Sequence, residues 1–170
     1  LKPTTSFRSE YAYDNLLYII AGEVVGSASG MPFEEFLEER LLFPLGMTDC
    51  AATLGRTAKT ATRATPHVEV DGKLQTTLSL ESDVGAAAGG INCSARSMAL
   101  WSSFILNKGK NAEGEQVVSE AQVEQLLKPV TVLPTRGYMA EHAGSFLSAY
   151  ALGWGVSTFY GQPSYSHGGG

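Results

Sequence analysis

The sequence is poor in cysteine and in charge of either sign. Its two cysteines, Cys50 and Cys93, are fewer than a secreted scaffold that depends on disulfides would carry. We therefore expect each to be a small buried apolar residue rather than half of a bridge. Charged residues make up 17% of the chain, and the net charge of −5 comes with no Lys/Arg cluster. This composition argues against nucleic acid as a partner.

Long hydrophobic runs are also missing. The longest apolar stretch is broken by Gly22 and Glu23, so it is too short to span a bilayer, and we expect no transmembrane segment in this piece. The hydrophobic fraction of 44% nevertheless suffices for a packed core, and the modest charge argues against disorder. A length of 170 residues fits one domain or part of one.

The first half of the chain is predicted to be helical. A helix is expected from about Asp14 to Ser29, and its apolar run indicates a core helix. Gly30 suits the C′ position that ends it. A second helix restarts at Met31 with Pro32 at N1. Its buried stripe is formed by Phe33, Phe36, Leu37 and Leu41.

Turn and cap signals divide the middle of the chain. Asp71-Gly72 is typical of a type I′ turn in a hairpin over 68–74. Ser94 is a good N-cap for the helix that follows Gly89-Gly90. Ser119 begins a capping box for a short helix that stops before Pro129.

The last part of the chain is predicted to be β-structure. Residues 129–147 are expected to form a long loop. A half-buried strand is then indicated by alternation through Tyr150, Leu152, Trp154 and Val156. Gly161-Gln162-Pro163 would make the turn, and residues 164–168 would return as a second strand. Helices followed by an antiparallel strand pair indicate an α+β chain.

Two short motifs carry the functional signal. Tyr13-Asp14-Asn15 heads the first helix, and His167-Gly168-Gly169-Gly170 follows the last strand. Together with the helix that ends in Pro44-Leu45-Gly46-Met47, they resemble the serine β-lactamase and penicillin-binding-protein superfamily. The resemblance is strongest to its class C-like branch of esterases and D-amino-acid peptidases. It implies that residues 1–170 are the mostly helical middle portion of a β-lactamase/transpeptidase-like domain plus antiparallel strands of its main sheet.

The resemblance also implies roles for individual residues. Tyr13 would be the general base for acylation and the general acid for the leaving group, while Asn15 would donate its amide to the substrate or to the family's lysine. The backbone N–H of Gly170 would be one donor of the oxyanion hole. His167 would face the cleft, where its charge would depend on pH and would not be permanent like that of a lysine. Gly168 and Gly169 would let substrate backbone approach closely.

The third motif of that superfamily, Ser-x-x-Lys, is missing, since no serine or threonine has a lysine three residues on. We therefore expect a fragment that lacks the Ser-x-x-Lys region and the C-terminal strands, and that has no hydrolase activity alone. The intact protein is expected to be a serine hydrolase that acts through an acyl-enzyme on an amide, β-lactam or ester. The substrate would be a small molecule or a peptide. Because most members of the superfamily are exported, the resemblance also implies export to the periplasm or the medium.

Alternative interpretations remain open at this point. The domain could be a catalytically inactive ligand-binding or sensory module on the same fold. His-Gly-Gly-Gly is also the oxyanion loop of lipase-type α/β-hydrolases, although Ala28 stands where their serine is needed in residues 26–30. No metal or other cofactor is expected, because the three histidines, His67, His142 and His167, show no metal-ligand spacing.

Overall fold

The computed structural model describes residues 2, 5–58, 61–78, 85–135, 141, 144–145 and 147–169. The helices are α1 (Asn15–Ser29), α2 (Phe33–Leu37), α3 (Ala95–Leu106) and α4 (Glu120–Leu127). The strands are β1 (His67–Val70), β2 (Lys73–Thr76), β3 (Thr131–Val132), β4 (Ser148–Tyr150), β5 (Gly155–Phe159) and β6 (Gln162–Ser166). Both sheets are antiparallel, which confirms the predicted α+β class.

The described residues group into two units. The helical unit comprises the described residues of 14–104 and 111–117. The sheet unit comprises those of 1–13, 105–110 and 118–170. Each unit has its own buried apolar residues. In the helical unit they include Leu37, Leu42, Leu45, Met47, Ala52 and Phe104, and in the sheet unit Ile105, Val123, Ala149, Ala151 and Val156.

Helix α1 has the predicted ends but not the predicted burial. The Asp14 carboxylate accepts a hydrogen bond of 2.8 Å from the Leu16 N–H, and Gly30 ends the helix at φ 73°. Four of its large apolar side chains are exposed, at 54–61% for Leu16, Leu17, Ile20 and Val24. The core-helix prediction is therefore wrong for these residues. The helix packs instead through buried Gly22, where a Cβ atom would lie 2.5 Å from that of Ala87.

The helix after Gly30 differs from its prediction in two details. Pro32 is the N-cap of α2 rather than its N1 residue, since its ψ of 143° is extended. The helix widens into π-helical turns over Glu38–Leu42. Of the predicted stripe only Leu37 is fully buried, and the three other members are partly exposed.

A disulfide joins Cys50 and Cys93, so the expectation of two unpaired cysteines is wrong. The residues next to them form a two-way backbone bridge, in which Ala51 and Asn92 exchange hydrogen bonds of 3.0 and 2.9 Å. This bridge brings the two cysteine Cα atoms to 4.3 Å across 43 residues of sequence. The separation explains why local pattern gave no sign of the pairing.

Glu38 forms a second long-range link in the helical unit. Its Oε1 accepts from the Ala52 N–H at 3.0 Å and from Arg56 Nε at 2.9 Å, and its Oε2 accepts from Arg56 Nη2 at 2.7 Å. The hydrogen bonds from Arg56 are the main cause that lowers the pKa of the Glu38 carboxyl below its ordinary value. The carboxylate therefore ties the end of the second helix to residues 52–56.

Asp49 supports the start of α3. Its carboxylate accepts a hydrogen bond from the Ser97 hydroxyl, and Ser94 Oγ accepts from the Ser97 N–H at 3.2 Å, which confirms Ser94 as the cap. Hydrogen bonds from the Ser94 and Ser97 side chains are the largest causes that lower the pKa of Asp49. A negative charge at this helix end is favourable because the N-terminal N–H groups point toward it.

Turn chemistry is confirmed in the hairpin and in the second cap. Asp71 and Gly72 have φ values of 50° and 71°, as a type I′ turn requires, and they join β1 to β2. Ser119 Oγ accepts from the Gln122 N–H at 3.4 Å at the start of α4.

The larger sheet has the strand order β3-β4-β5-β6. The predicted loop over 129–147 contains strand β3, and the predicted strand through Tyr150 and Val156 is two strands, so both predictions are corrected. A reversal separates β4 from β5: the Ala151 N–H donates to the Trp154 carbonyl at 2.7 Å, and Gly153 supplies the positive φ of 82°.

The turn between the last two strands lies earlier than predicted. It falls at Tyr160 and Gly161, which have φ values of 47° and 78°. Pro163 thus lies inside β6, at the end of the strand order, where the missing N–H costs little.

Within the described residues, no single helix has both the length and the apolarity to cross a bilayer. Helix α1 and the helical residues 33–42 are long and apolar enough only when they are taken together, and the chain bends by 80° between them.

Candidate functional site

Strands β4, β5 and β6 form one wall of a cleft in the sheet unit. Tyr150 pairs with Gly155, and Gly155 pairs with Ser166, so the three residues form a row across the sheet. His167 follows the last of them. Gly155 leaves the middle of the row without a side chain, and a Cβ atom there would lie 3.2 Å from the Ser166 carbonyl oxygen. A larger residue at 155 would therefore crowd this row.

Two tyrosines from the segment before α1 complete an aromatic cluster, which consists of Tyr11, Tyr13, Tyr150 and His167. The rings of Tyr11 and Tyr13 lie nearly parallel, with centroids 6.4 Å apart and 25° between planes. The centroids of Tyr13 and His167 are 5.8 Å apart. Tyr150 contacts the other three rings at centroid distances of 5.0, 6.4 and 6.4 Å.

The cluster lines an open cleft of about 470 Å³. The remaining lining residues are Gly155, Ser166, Gly168 and Gly169. A Cβ atom at Gly168 or Gly169 would meet no heavy atom within 4 Å, so this end of the cleft is open. Aromatic surface on one side and side-chain-free backbone on the other suit a small organic molecule with a polar group to be held at the glycines.

The imidazole of His167 has a defined orientation. Its Nδ1 lies 2.6 Å from the Gly168 carbonyl oxygen. A carbonyl oxygen only accepts hydrogen bonds, so Nδ1 carries the proton and donates. In the neutral ring the lone pair is then on Nε2. The neutral side chain can therefore accept a hydrogen bond through Nε2, and it gains a second donor only when it is protonated.

The structure brings together four of the six residues predicted for the site: Tyr13, His167, Gly168 and Gly169 all line the cleft. Asn15 is the exposed first residue of α1 and belongs to the helical unit. Gly170 lies outside the described residues, as does His142. The roles assigned to all six stay predictions.

Four cleft residues were missed from the sequence: the aromatic residues Tyr11 and Tyr150, and also Gly155 and Ser166. Tyr11 stands two positions before Tyr13, a spacing that puts alternate side chains of extended backbone on the same side. This signal was available but weak. Tyr150 was recognised only as a strand residue, because its place beside Tyr13 depends on a contact between residues 137 positions apart in the sequence.

Titratable metal ligands do not converge in the part of the chain that the structure describes. No group of three His, Cys, Asp or Glu side chains there could hold a metal ion. His67, the remaining described histidine, is on β1 in the helical unit.

Comparison with known proteins gives a consistent family. The family model described as Beta-lactamase matches residues 1–170. Among curated proteins no match is found. The full-length match favours the beta-lactamase interpretation of His-Gly-Gly-Gly over the lipase-type one.

Similar solved structures share the fold. An octameric penicillin-binding protein homologue from Pyrococcus abyssi has a TM-score of 0.73 at 19% identity, over 92% of this chain and 32% of that one. A D-stereospecific amidohydrolase from Streptomyces sp. has a TM-score of 0.70 at 18% identity, over 95% and 44%. D-amino acid amidase from Ochrobactrum anthropi SV3, complexed with D-phenylalanine, has a TM-score of 0.68 at 18% identity, over 93% and 44%. The chain thus spans a third to less than half of these proteins.

Proposed function

The chain belongs to the beta-lactamase family, and from that premise we propose that it forms part of a serine hydrolase that works through an acyl-enzyme. The observation that carries the proposal is the cleft in which the ring centroids of Tyr13 and His167 lie 5.8 Å apart, beside Gly168 and Gly169. A phenol, an imidazole and an open glycine backbone in one cleft are groups that acyl transfer uses.

Tyr13 moves the proton in the proposed reaction. A tyrosine ordinarily titrates near pKa ~10, so it needs a nearby cation to act as a base at neutral pH. Family resemblance assigns that cation to the lysine of Ser-x-x-Lys, which residues 1–170 do not contain. The phenolate would take the proton from the serine hydroxyl while the serine oxygen forms its bond to the carbonyl carbon of the substrate. The phenol would then return this proton to the leaving nitrogen or oxygen as the bond to it breaks.

The glycine end of the cleft receives the carbonyl oxygen. Resemblance assigns one oxyanion donor to the Gly170 N–H, and such a donor is worth about 2.7–4 kcal/mol in the transition state. The open backbone at Gly168 and Gly169 supports this assignment, because substrate can approach it closely. The Nδ1–H of His167 is engaged by Gly168, so Nε2 is the atom proposed to meet the substrate.

The substrate is proposed to be a small amide, with esters and β-lactams as the related carbonyl compounds. The names of the similar structures, which include a D-amino acid amidase and a D-stereospecific amidohydrolase, make D-amino-acid amides the first to test. We also propose export, since a disulfide such as Cys50–Cys93 persists in oxidising compartments.

A second candidate is an inactive ligand-binding domain on the same fold. It would bind its ligand in the same cleft and differ from the hydrolase by having no nucleophilic serine. Mass spectrometry separates the two candidates. Residues 1–170 alone are expected to gain no covalent adduct from an activated ester or a β-lactam under either candidate. A protein that joins them to a Ser-x-x-Lys segment, called the acylating protein below, is expected to gain one acyl group on that serine if the hydrolase proposal holds, and none if the domain is inactive.

Tyr13→Phe tests the role of the phenol in the acylating protein. The ring and its packing are retained, so the fold should be unchanged while acylation falls by about 10²–10⁴-fold. The rate of adduct formation measures the loss, and Tyr160→Phe, an exposed tyrosine on the β5–β6 turn, is the matched control. A Tyr13→Phe rate within a few-fold of the parent would make Tyr13 a packing residue.

A further inference from the structure

Tyr11 takes no part in the proton transfers, yet it lines the same cleft. It is 48% exposed, and its ring contacts both Tyr13 and Tyr150. The half-exposed ring offers an aromatic surface next to the proposed general base.

We propose that Tyr11 is a specificity-determining residue that selects substrates with an aromatic side chain. The inference rests on the proposed function for the reaction itself, but the selection follows from the ring geometry. Tyr11 and Tyr13 lie nearly parallel, and Tyr150 meets Tyr11 edge-on at 5.0 Å and 68°. A further flat ring can join such a group by offset stacking or by an edge-to-face contact, the two arrangements that aromatic pairs prefer.

The position of Tyr11 separates selection from chemistry. Tyr13 contacts both Tyr11 and His167, at 6.4 and 5.8 Å between centroids. The reacting carbonyl belongs at the glycine end, beside His167. Tyr150 lies between the two ends, with ring centroids 6.4 Å from His167 and 5.0 Å from Tyr11, so a side chain on the carbon next to that carbonyl would extend toward Tyr11. Tyr11 would thus contact the part of the substrate that does not react.

Two probes differ only in this part. Phenylalaninamide and alaninamide carry the same ammonium and the same amide, so a difference between them reports the ring and not a cation–π contact. Both enantiomers of each are titrated into the 170-residue chain, and binding is followed by NMR shifts of the His167 imidazole. At least one enantiomer of phenylalaninamide should bind more tightly than the matching alaninamide.

The variants isolate the Tyr11 ring. Tyr11→Ala should weaken phenylalaninamide binding by about tenfold and alaninamide binding by less than twofold. Tyr11→Phe keeps the ring and should retain both affinities. Tyr160→Ala removes a tyrosine that is 64% exposed and outside the cluster, and should also change neither affinity.

Kinetics in the acylating protein give the second readout. Tyr11→Ala should lower kcat/KM for the phenylalanine amide by about tenfold and leave that for the alanine amide nearly unchanged. Equal losses for both amides, no loss for either, or no preference of the parent chain for phenylalaninamide would overturn the inference. Selective binding by the 170-residue chain, with no acylation of the protein that also carries Ser-x-x-Lys, would instead reject the hydrolase proposal and retain Tyr11 as the selecting residue.

Discussion

The contacts within the helical unit differ in kind from those within the sheet unit. Distant segments of the helical unit are joined by the Cys50–Cys93 disulfide and by the two-pronged Glu38–Arg56 pair. Among the described residues of the sheet unit, the cleft is held by strand register and ring packing, and no disulfide occurs there. The cross-links therefore belong to the unit that does not carry the cleft.

Substitutions in the two units should therefore have different consequences. Removal of a cross-link should cost stability in the helical unit, whereas removal of a cleft side chain should cost binding or rate. The two tryptophans allow the units to be followed separately, since Trp101 belongs to the helical unit and Trp154 to the sheet unit. Trp154→Phe and Trp101→Phe backgrounds each leave one reporter.

The largest expected effect on stability comes from the disulfide. Replacing both Cys50 and Cys93 by serine opens a loop with a sequence separation of 43, and should lower the free energy of unfolding by about 4 kcal/mol. Urea unfolding followed by Trp101 fluorescence measures this loss. Reductant should bring the parent protein to the value of the double variant and leave the double variant unchanged. Coincident curves for parent and variant without reductant would contradict the prediction.

Glu38→Gln should have a smaller effect that depends on pH. The pKa of Glu38 is lowered in the folded state, so its stabilising contribution is present above the ordinary glutamate pKa of about 4.3 and is lost as pH falls through the folded pKa. The loss at neutral pH should be about 1–2 kcal/mol, less than for a buried pair, because the Arg56 side chain is 38% exposed.

Unfolding curves from pH 7 down to pH 3 test the sign. The parent should lose stability on acidification faster than Glu38→Gln, so that the two converge at low pH. The neighbouring exposed Glu39→Gln is the control and should follow the parent. Parallel pH profiles for Glu38→Gln and the parent would assign the acid sensitivity to other groups.

The smallest effect is expected for the exposed ion pair of the sheet unit, Lys108 with Glu120. Both side chains are at least half exposed, so water and salt screen the attraction. Lys108→Gln should leave the urea midpoint unchanged when it is followed by Trp154, as should the control Lys110→Gln. A clear loss for Lys108→Gln alone would show that the sheet unit, too, depends on an ionic link.

Local chemistry was the most predictable part of this protein. The Asp71-Gly72 turn, the caps at Ser94 and Ser119, and the end of α1 at Gly30 all follow from short-range rules, and each is confirmed. These features depend on the backbone preferences of a few adjacent residues. Short motifs likewise sufficed for the family, because Tyr-x-Asn and His-x-Gly occur in a fixed order.

Long-range contacts account for two of the predictions that were wrong. The pairing of Cys50 with Cys93 depends on the Ala51–Asn92 bridge. Helix α1 packs with Gly22 against Ala87, and its large apolar side chains are left exposed. An apolar pattern states which residues gain from burial, but not which face of a helix finds a partner.

Short-range rules in the sequence predict the α+β class, the caps at Ser94 and Ser119 and the turn at Asp71-Gly72. The position of Tyr11 and Tyr150 beside Tyr13 and His167 in one cleft is a feature of the tertiary structure that no local pattern predicts. For Tyr150 and His167 the cause is register, since the pairing of β4, β5 and β6 fixes which residues share a row, and a strand cannot encode its neighbour's offset in its own residues. Tyr11 and Tyr13 come from the segment before α1 and join the cleft through contacts with Tyr150, which is distant in the sequence.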